Sequence, residues 1–361
     1  MAEAGGMYIV TNREVFAHKH GFNKFGKEPN AKGPHELRMA RVTKTRGGWK
    51  IEILSDEAKR RAGGKTIVEP QSKAAARTIF NRISKSPRSG PGRKDLLLFV
   101  HGFNNDVEAV VKRAWGLQQL YGLEVVAFTW PANGGGAKGV VSYKSDKRDA
   151  AASIGAMDRV LEKMCDYLAE FREERLAKVR AQARSRSRES RESELELTAR
   201  LSQRACPFRI NLMLHSMGNY LFKNLLNSSI FSGRELSFDN IILCAADTNN
   251  EHHRQWVDRI QARNRVYVTI NEKDSALRVS RMKGGDEQLA RLGHYPYNLD
   301  SRQTVYVDFT GAPSVGDSHA YFEGTPTKNS GVKRFFGEAL HGDVAELRLP
   351  YDPARNLYRI R

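Results

Sequence analysis

The sequence predicts an α/β fold built on a mostly parallel, doubly wound sheet, and three observations predict it. Continuous apolar runs such as LLLFV at 96–100 suit strands buried on both faces rather than strands with one wet face. These runs alternate with helical stretches through six β/α steps in one register, which implies parallel strands joined by right-handed crossovers. Earlier in the chain, 36–54 reads instead as an antiparallel hairpin, with RMARVTK and WKIEIL joined around Gly47 and Gly48.

Taken in order, the β-rich MYIVTN at 7–12 opens the sheet and the hairpin follows it. A helical stretch near 71–85 leads into SPRSGPGRKD, a loop by its Pro, Gly and Ser content, and then into LLLFV. The alternation continues with a helix at 106–121, a strand EVVAFTW at 124–130, a helix at 147–171, a strand RINLMLH at 209–215 and a helix at 217–227. FDNIILCAAD at 238–247, a helix from about 250, RVYVTINEKD at 265–274, a helix from 275 and TVYVDFTG at 304–311 complete it. Residues 172–204 break the register with Arg, Ser and Glu and hardly an apolar face, so they read as a helix extension running into a mobile basic insertion. The expected organisation is therefore an N-terminal region, 1–92, leading into a core, 93–361, that carries the charged helical insertion at 172–204.

Lys and Arg number 59 against 41 Asp and Glu, a formal charge of +18, so the surface should attract polyanions. The three cysteines, Cys165, Cys206 and Cys244, have the spacing of neither a disulfide framework nor a zinc site, and buried thiols in a reducing compartment are expected. MAEAGGMYIV has no basic n-region, and no window approaches the roughly eighteen apolar residues that span a bilayer. The cytoplasm is the expected location.

The strongest chemical signal is LHSMG at 214–218, placed where a buried strand hands over to a helix. A sharp strand-to-helix turn strains the serine backbone and presents its hydroxyl, and it needs small neighbours because the two elements approach closely. Ser216 is the candidate nucleophile and Gly218 supplies the close approach, while Leu214 stands where the usual motif has its first glycine. HGFNND at 101–106 follows LLLFV directly. Acyl transfer needs donors preorganised toward an oxyanion, and the N–H groups of Phe103 and of Met217, the residue after the serine, are the candidates. Gly102 lets the chain turn there. The alternative for this segment is a plain strand-to-helix turn capped by Asn104 or Asn105.

The PANGGGAKG loop at 131–139 lacks the Lys-Ser/Thr ending of a phosphate-binding loop and reads as a flexible rim, with Tyr143, Lys144 and Asp146 after it as candidate pocket residues. Among ten histidines, His319 lies on the loop after the last strand beside a Gly-Asp-Ser turn and is the candidate base. His101 and His215 flank the motifs as pocket walls or supports. His252, His253 and His294 lie on or near helices and are expected at the surface.

With these residues in place, the chain resembles the α/β-hydrolase superfamily, and within it a bacterial group of serine hydrolases catalogued as a domain of unknown function (DUF900-like). The resemblance covers roughly 93–325 and rests on LLLFVHGFNN, VVAFTWPANG, INLMLHSMGNYL, IILCAADTNN, VYVTINEKDSAL and GDSHAYF, in that order. It implies an α/β-hydrolase fold with a triad in the chain order Ser216, acid, His319. The acid it implies is Asp274, after the penultimate strand, with Asp247 after the strand before it as the alternative. The expected activity is hydrolysis of carboxylic esters through an acyl-enzyme, of esterase or lipase type, with no cofactor and no metal. Lipid esters and peripheral contact with an anionic membrane are the expected substrates and partner. The alternative is a catalytically silent scaffold whose basic surface binds an acidic partner or nucleic acid; retention of Ser216, Asp274 and His319 together argues against it, since a scaffold needs none of them.

Overall fold

The computed structural model describes residues 6–33, 35–87, 89–132, 139–188, 193–203, 209–228, 238–282 and 290–361. Its elements run β1 (Met7–Thr11), β2 (Arg13–Val15), β3 (Phe25–Pro29), β4 (Arg38–Thr45), β5 (Gly48–Ile53), β6 (Glu57–Ala62), β7 (Lys65–Pro70), α1 (Gln71–Ser84), β8 (Leu96–Val100), α2 (Val107–Tyr121) and β9 (Glu124–Thr129). They continue with α3 (Gly139–Ala152), α4 (Ile154–Ser187), α5 (Glu194–Gln203), β10 (Ile210–His215), α6 (Gly218–Asn227), β11 (Asn240–Cys244), α7 (Arg254–Val257), β12 (Arg265–Ile270), α8 (Ser275–Met282), β13 (Thr304–Asp308), α9 (Ser330–Leu340), β14 (Tyr351–Asp352) and β15 (Leu357–Arg359).

The chain divides into two compact units, one of Met1–Leu54, Asp95–Arg159 and Arg209–Arg361, the other of Ser55–Lys94 and Val160–Phe208. In the first unit the described residues form a sheet of eleven strands in the order β14-β15-β13-β12-β11-β10-β8-β9-β1-β4-β5, with β2 and β3 paired antiparallel in a separate two-stranded sheet. Every neighbouring pair from β1 through β9, β8, β10, β11, β12 and β13 to β15 is parallel; β4 and β5 pair antiparallel at one edge and β14 at the other. All five residues of LLLFV are buried, as expected for a strand covered on both faces. Crossovers leave β8 toward β9 on one side, whereas β10 lies on the other side of β8 and leads on to β11. The carboxyl ends of β8 and β10 thus flank a topological switch point, the position at which open α/β sheets form a crevice.

The second unit contains the β6–β7 hairpin, α1, α4 from Val160 onward and α5. The expected helix extension is present, since α4 continues to Ser187, and Glu194–Gln203 forms a further helix where the sequence suggested a mobile arm. Ala, Leu, Arg, Lys and Glu are strong helix formers even without an apolar face. Side-chain pairs hold the helix as well, with Arg77 bridging Glu174 at 2.6 Å and Arg184 bridging Glu194 at 3.3 Å. Ser193 and Glu196 form a reciprocal capping box, the Glu196 carboxylate accepting from the Ser193 N–H at 3.0 Å and the Ser193 hydroxyl from the Glu196 N–H at 3.2 Å. Among the described residues no helix is long and apolar enough to cross a membrane.

Candidate active site

The buried strand β10 ends at His215, and the next residue, Ser216, adopts φ of 54°, a left-handed conformation that a side chain ordinarily avoids. Several bonds hold it there. The Ser216 N–H donates to Cys244 O at 3.0 Å, and the N–H groups of Asn219 and Asp247 donate to Ser216 O at 3.0 and 3.2 Å. The buried Asn219 amide adds bonds to the carbonyls of Leu214, Ser216 and Cys244, so it ties the turn to both β10 and β11. Leu214 keeps its place in the strand, opposite Val100 and Leu243, and the turn forms without a glycine at that position.

Two glycines let the neighbouring chain close on this turn. A Cβ on Gly102 would lie 2.5 Å from Ser216 Cβ and 3.1 Å from its hydroxyl, and one on Gly218 would lie 2.9 Å from His101 O and 3.0 Å from Val100 O. Among the described residues neither the Ser216 hydroxyl nor the Met217 N–H has a hydrogen-bond partner. A hydroxyl and an adjoining backbone donor, both on buried residues, are thereby left without a bond at the carboxyl end of β10.

His319, on the loop after β13, bonds through Nδ1 to Asp274 Oδ2 at 2.7 Å. Asp274 is fully buried after β12, and its other oxygen caps α8 by accepting from the N–H groups of Ala276 and Leu277. The two loops are stitched together by Asn271, whose amide donates to the carbonyls of Gly316 and Ser318, and by the Ser275 N–H, which donates to Asp317 O. His215 connects this pair to the serine turn: its Nε2 lies 3.1 Å from His319 O, and the two rings are 4.6 Å apart. Since a carbonyl only accepts, His215 carries its proton on Nε2. Its other ring nitrogen is buried without a partner, and burial, then His319, holds its pKa well below the ordinary value.

His101 is also neutral. Burial, then the Arg13 charge, pushes it down to about 3. Its Nε2 accepts from the Trp130 N–H at 3.2 Å, which leaves Nδ1 to donate to Gly102 O at 2.8 Å. The ring stacks on Trp130, so His101 pins the start of the HGFNND loop to β9. The cap of α2 is Asp106, which accepts from the Ala109 N–H, and neither Asn104 nor Asn105 fills that role.

Asp247 lies in a different environment. It pairs with the buried Arg291 at 3.2 Å and accepts from Tyr143 at 3.0 Å and Ser280 at 2.7 Å, and no imidazole reaches it. Asp146 accepts from the Asn104 N–H at 3.1 Å, so it braces the loop from outside. Residues 133–138, Cys206 and the Lys144 side chain lie outside the described residues, as do 189–192 and 204 within the charged insertion.

The expectation that His253 and His294 lie at the surface is corrected: both are buried, whereas His252 is exposed. Loop crossings cover His294, because the Leu292 N–H donates to Thr248 O and the Gly293 N–H to Ala246 O across the strand ends. His253 is enclosed by Tyr306, whose hydroxyl lies 2.5 Å from its Nε2. Arg13 also belongs to the site's surroundings and was not singled out by the sequence, and Asn105 was read there only as a candidate helix cap. Among the described residues no group of three or more His, Cys, Asp and Glu could hold a metal ion.

No curated protein matches the chain. Among solved structures, an acylaminoacyl peptidase from Pyrococcus horikoshii (orthorhombic crystal form) aligns over 87% of this chain and 49% of its own, at 12% identity and a TM-score of 0.30, so the chain spans about half that protein's length. A family model, alpha/beta hydrolase of unknown function (DUF900), matches residues 72–179 and 180–310, which include Ser216 and Asp274 and stop short of His319. The parallel sheet, the serine turn at its switch point and this match over more than half of the sequence agree, and the chain belongs to that family of alpha/beta hydrolases.

Proposed function

We propose that the chain is a serine hydrolase that cleaves carboxylic esters with Ser216, His319 and Asp274. The observation that carries the reading is the 2.7 Å bond between His319 Nδ1 and the buried Asp274, with His319 in ring contact with His215, the residue before a serine in strained left-handed geometry. In this arrangement Asp274 keeps the proton on Nδ1, which leaves Nε2 of His319 to accept a proton from Ser216. The serine oxygen attacks the ester carbonyl as that proton leaves, and the developing oxyanion accepts from the N–H groups of Met217 and Phe103. Collapse of the tetrahedral intermediate breaks the bond to the alcohol, which departs with the proton from His319. Water, deprotonated by the same histidine, then cleaves the acyl-enzyme and restores the serine.

Lipid esters are the favoured substrates within this reading, with peripheral contact to an anionic membrane, because a chain of formal charge +18 is drawn to anionic interfaces. A cytoplasmic setting accords with the free thiols of Cys165 and Cys244.

The test is labelling by a fluorophosphonate probe together with turnover of p-nitrophenyl esters of rising chain length, with anionic or neutral vesicles present. Ser216→Ala should abolish labelling and turnover and keep the folded signal, because it adds no volume. Labelling of the variant at the normal level would end the serine assignment. Equal rates with both kinds of vesicle would end the membrane part alone.

A further inference from the structure

Besides His101 and Asp146, a third side chain holds the loop after β8, Asn105, and two guanidinium groups converge on that residue. The Asn105 amide nitrogen donates to Phe103 O at 2.7 Å and to Gly102 O at 3.2 Å. Its amide oxygen accepts from Arg113 at 3.2 Å, and its backbone carbonyl accepts from Arg13 at 3.0 Å. Because a guanidinium can only donate, Arg113 admits one orientation of the Asn105 amide, the one in which the nitrogen faces the loop carbonyls. Arg113 is itself anchored, with Nε on Glu323 at 2.7 Å.

Arg13 is the more unusual partner. It is 1% exposed, yet no carboxylate lies within ion-pair distance among the described residues, and its donors go to Thr129 Oγ1 and the carbonyls of Gly26, Asn105 and Ala132. Burial lowers its pKa to about 10, so it remains a cation at neutral pH. One of its nitrogens bridges Asn105 O and Ala132 O, the chain segments that follow β8 and β9. It lies outside the matched residues of the family model, in the N-terminal strands.

The carbonyl and N–H of a trans peptide unit point in opposite directions. The Gly102 carbonyl accepts from both His101 Nδ1 and Asn105, which aims the Phe103 N–H away from them, while Gly102 itself abuts the Ser216 hydroxyl. We propose that Asn105, oriented by Arg113 and fixed in place by Arg13, is the positioning residue that aims the Phe103 N–H at the oxyanion. The inference rests on the serine-hydrolase reading and assigns the N-terminal strands a part in turnover through Arg13.

Asn105→Asp separates this role from a merely structural one. The substitution keeps the size of the side chain and sets a carboxylate against Arg113, which offsets the lost amide bonds, but it removes the donor on Phe103 O, leaves Gly102 O to His101 alone and turns an oxygen toward both carbonyls. The full chain carrying it should fold with an unfolding midpoint near that of the unaltered chain. Its kcat should fall on the order of 10²-fold, the usual effect of a lost oxyanion donor, with KM little changed because the donor acts on the transition state. The rate of fluorophosphonate labelling should fall with kcat. Arg113→Met, which keeps the stem packed near Phe322 and removes every donor, should reproduce a smaller fall in kcat and serves where the aspartate variant does not fold. Wild-type kcat in both variants, or losses confined to KM, would overturn the positioning role while leaving the triad intact. Failure of the unaltered chain to label or turn over esters would overturn both readings together.

Discussion

Asp247 and Asp274 follow adjacent strands, β11 and β12, and only Asp274 meets an imidazole. Under the proposed triad, Asn in place of Asp274 can present an N–H to His319 and favour the wrong tautomer, so Asp274→Asn should lower kcat by about 10⁴-fold. Asp247→Asn should act through stability instead. It leaves Arg291, whose side chain is 4% exposed, without its carboxylate, a loss of about 3 kcal/mol for a broken buried pair. Kinetics and urea midpoints of the two variants check this, and the reverse ranking would move the acid to Asp247. The positions of Ser216 and His319 at strand ends were legible from a short motif and the alternation of elements, and those of the two acids through the family resemblance. The orientation of Asn105 was not, since it depends on Arg13 and Arg113, which are remote in sequence. Nor was the burial of His253 and His294, which loop crossings decide.

Elements were read well where the pattern was continuous. LLLFV is a strand at its expected residues, and the hairpin of 36–54 appears as β4 and β5. The β6–β7 hairpin was missed although Gly63 and Gly64 mark its turn, because its strands are mostly charged and lack an alternating apolar face. The capping box at Ser193 was a readable helix start inside the part of the charged insertion that was read as mobile. Close contact between α6 and the end of β8 carries a prediction at this scale. In Gly218→Ala the new methyl meets the carbonyl oxygens of His101 and Val100, at 2.9 and 3.0 Å, and backbone cannot rotate away as a side-chain tip can. Overpacking of this kind costs about 1–3 kcal/mol, and it would also push β8 and its loop from the serine turn. A lower urea midpoint together with lost ester turnover is expected; an unchanged midpoint would show that the approach is looser than these distances.

At the scale of the molecule, the sequence indicated a doubly wound parallel sheet, but not that β1 would lie beside β9, a pairing between residues more than a hundred positions apart. That long-range pairing carries Arg13 to the site and, with Trp130 and the β8 loop, encloses His101 as a neutral ring. The enclosure makes stability depend on pH in a definite direction. His101 titrates at about 3 in the folded chain, against an ordinary value of 6.5, and His215 is lowered as well. Above pH 6.5 both rings are neutral whether folded or not, and their contribution is fully present. As pH falls below 6.5 the unfolded chain takes up protons that the folded chain refuses, so stability declines by about 1.4 kcal/mol per pH unit for each histidine until its folded pKa is reached. Asp149 acts in the opposite sense: burial raises it to about 6 from 3.8, so its penalty is relieved as pH falls through that interval. His253 and His294 are lowered by burial as well, and Asp239 and Glu338 raised by it, so four histidines, two of them fully buried, stand against three partly buried carboxylates and leave a net loss. The urea midpoint should therefore drop between pH 6.5 and 4.5, and His101→Gln, which stays neutral and can both donate and accept, should show a shallower decline. An equal slope in that variant would mean that His101 gains its proton without leaving the folded state.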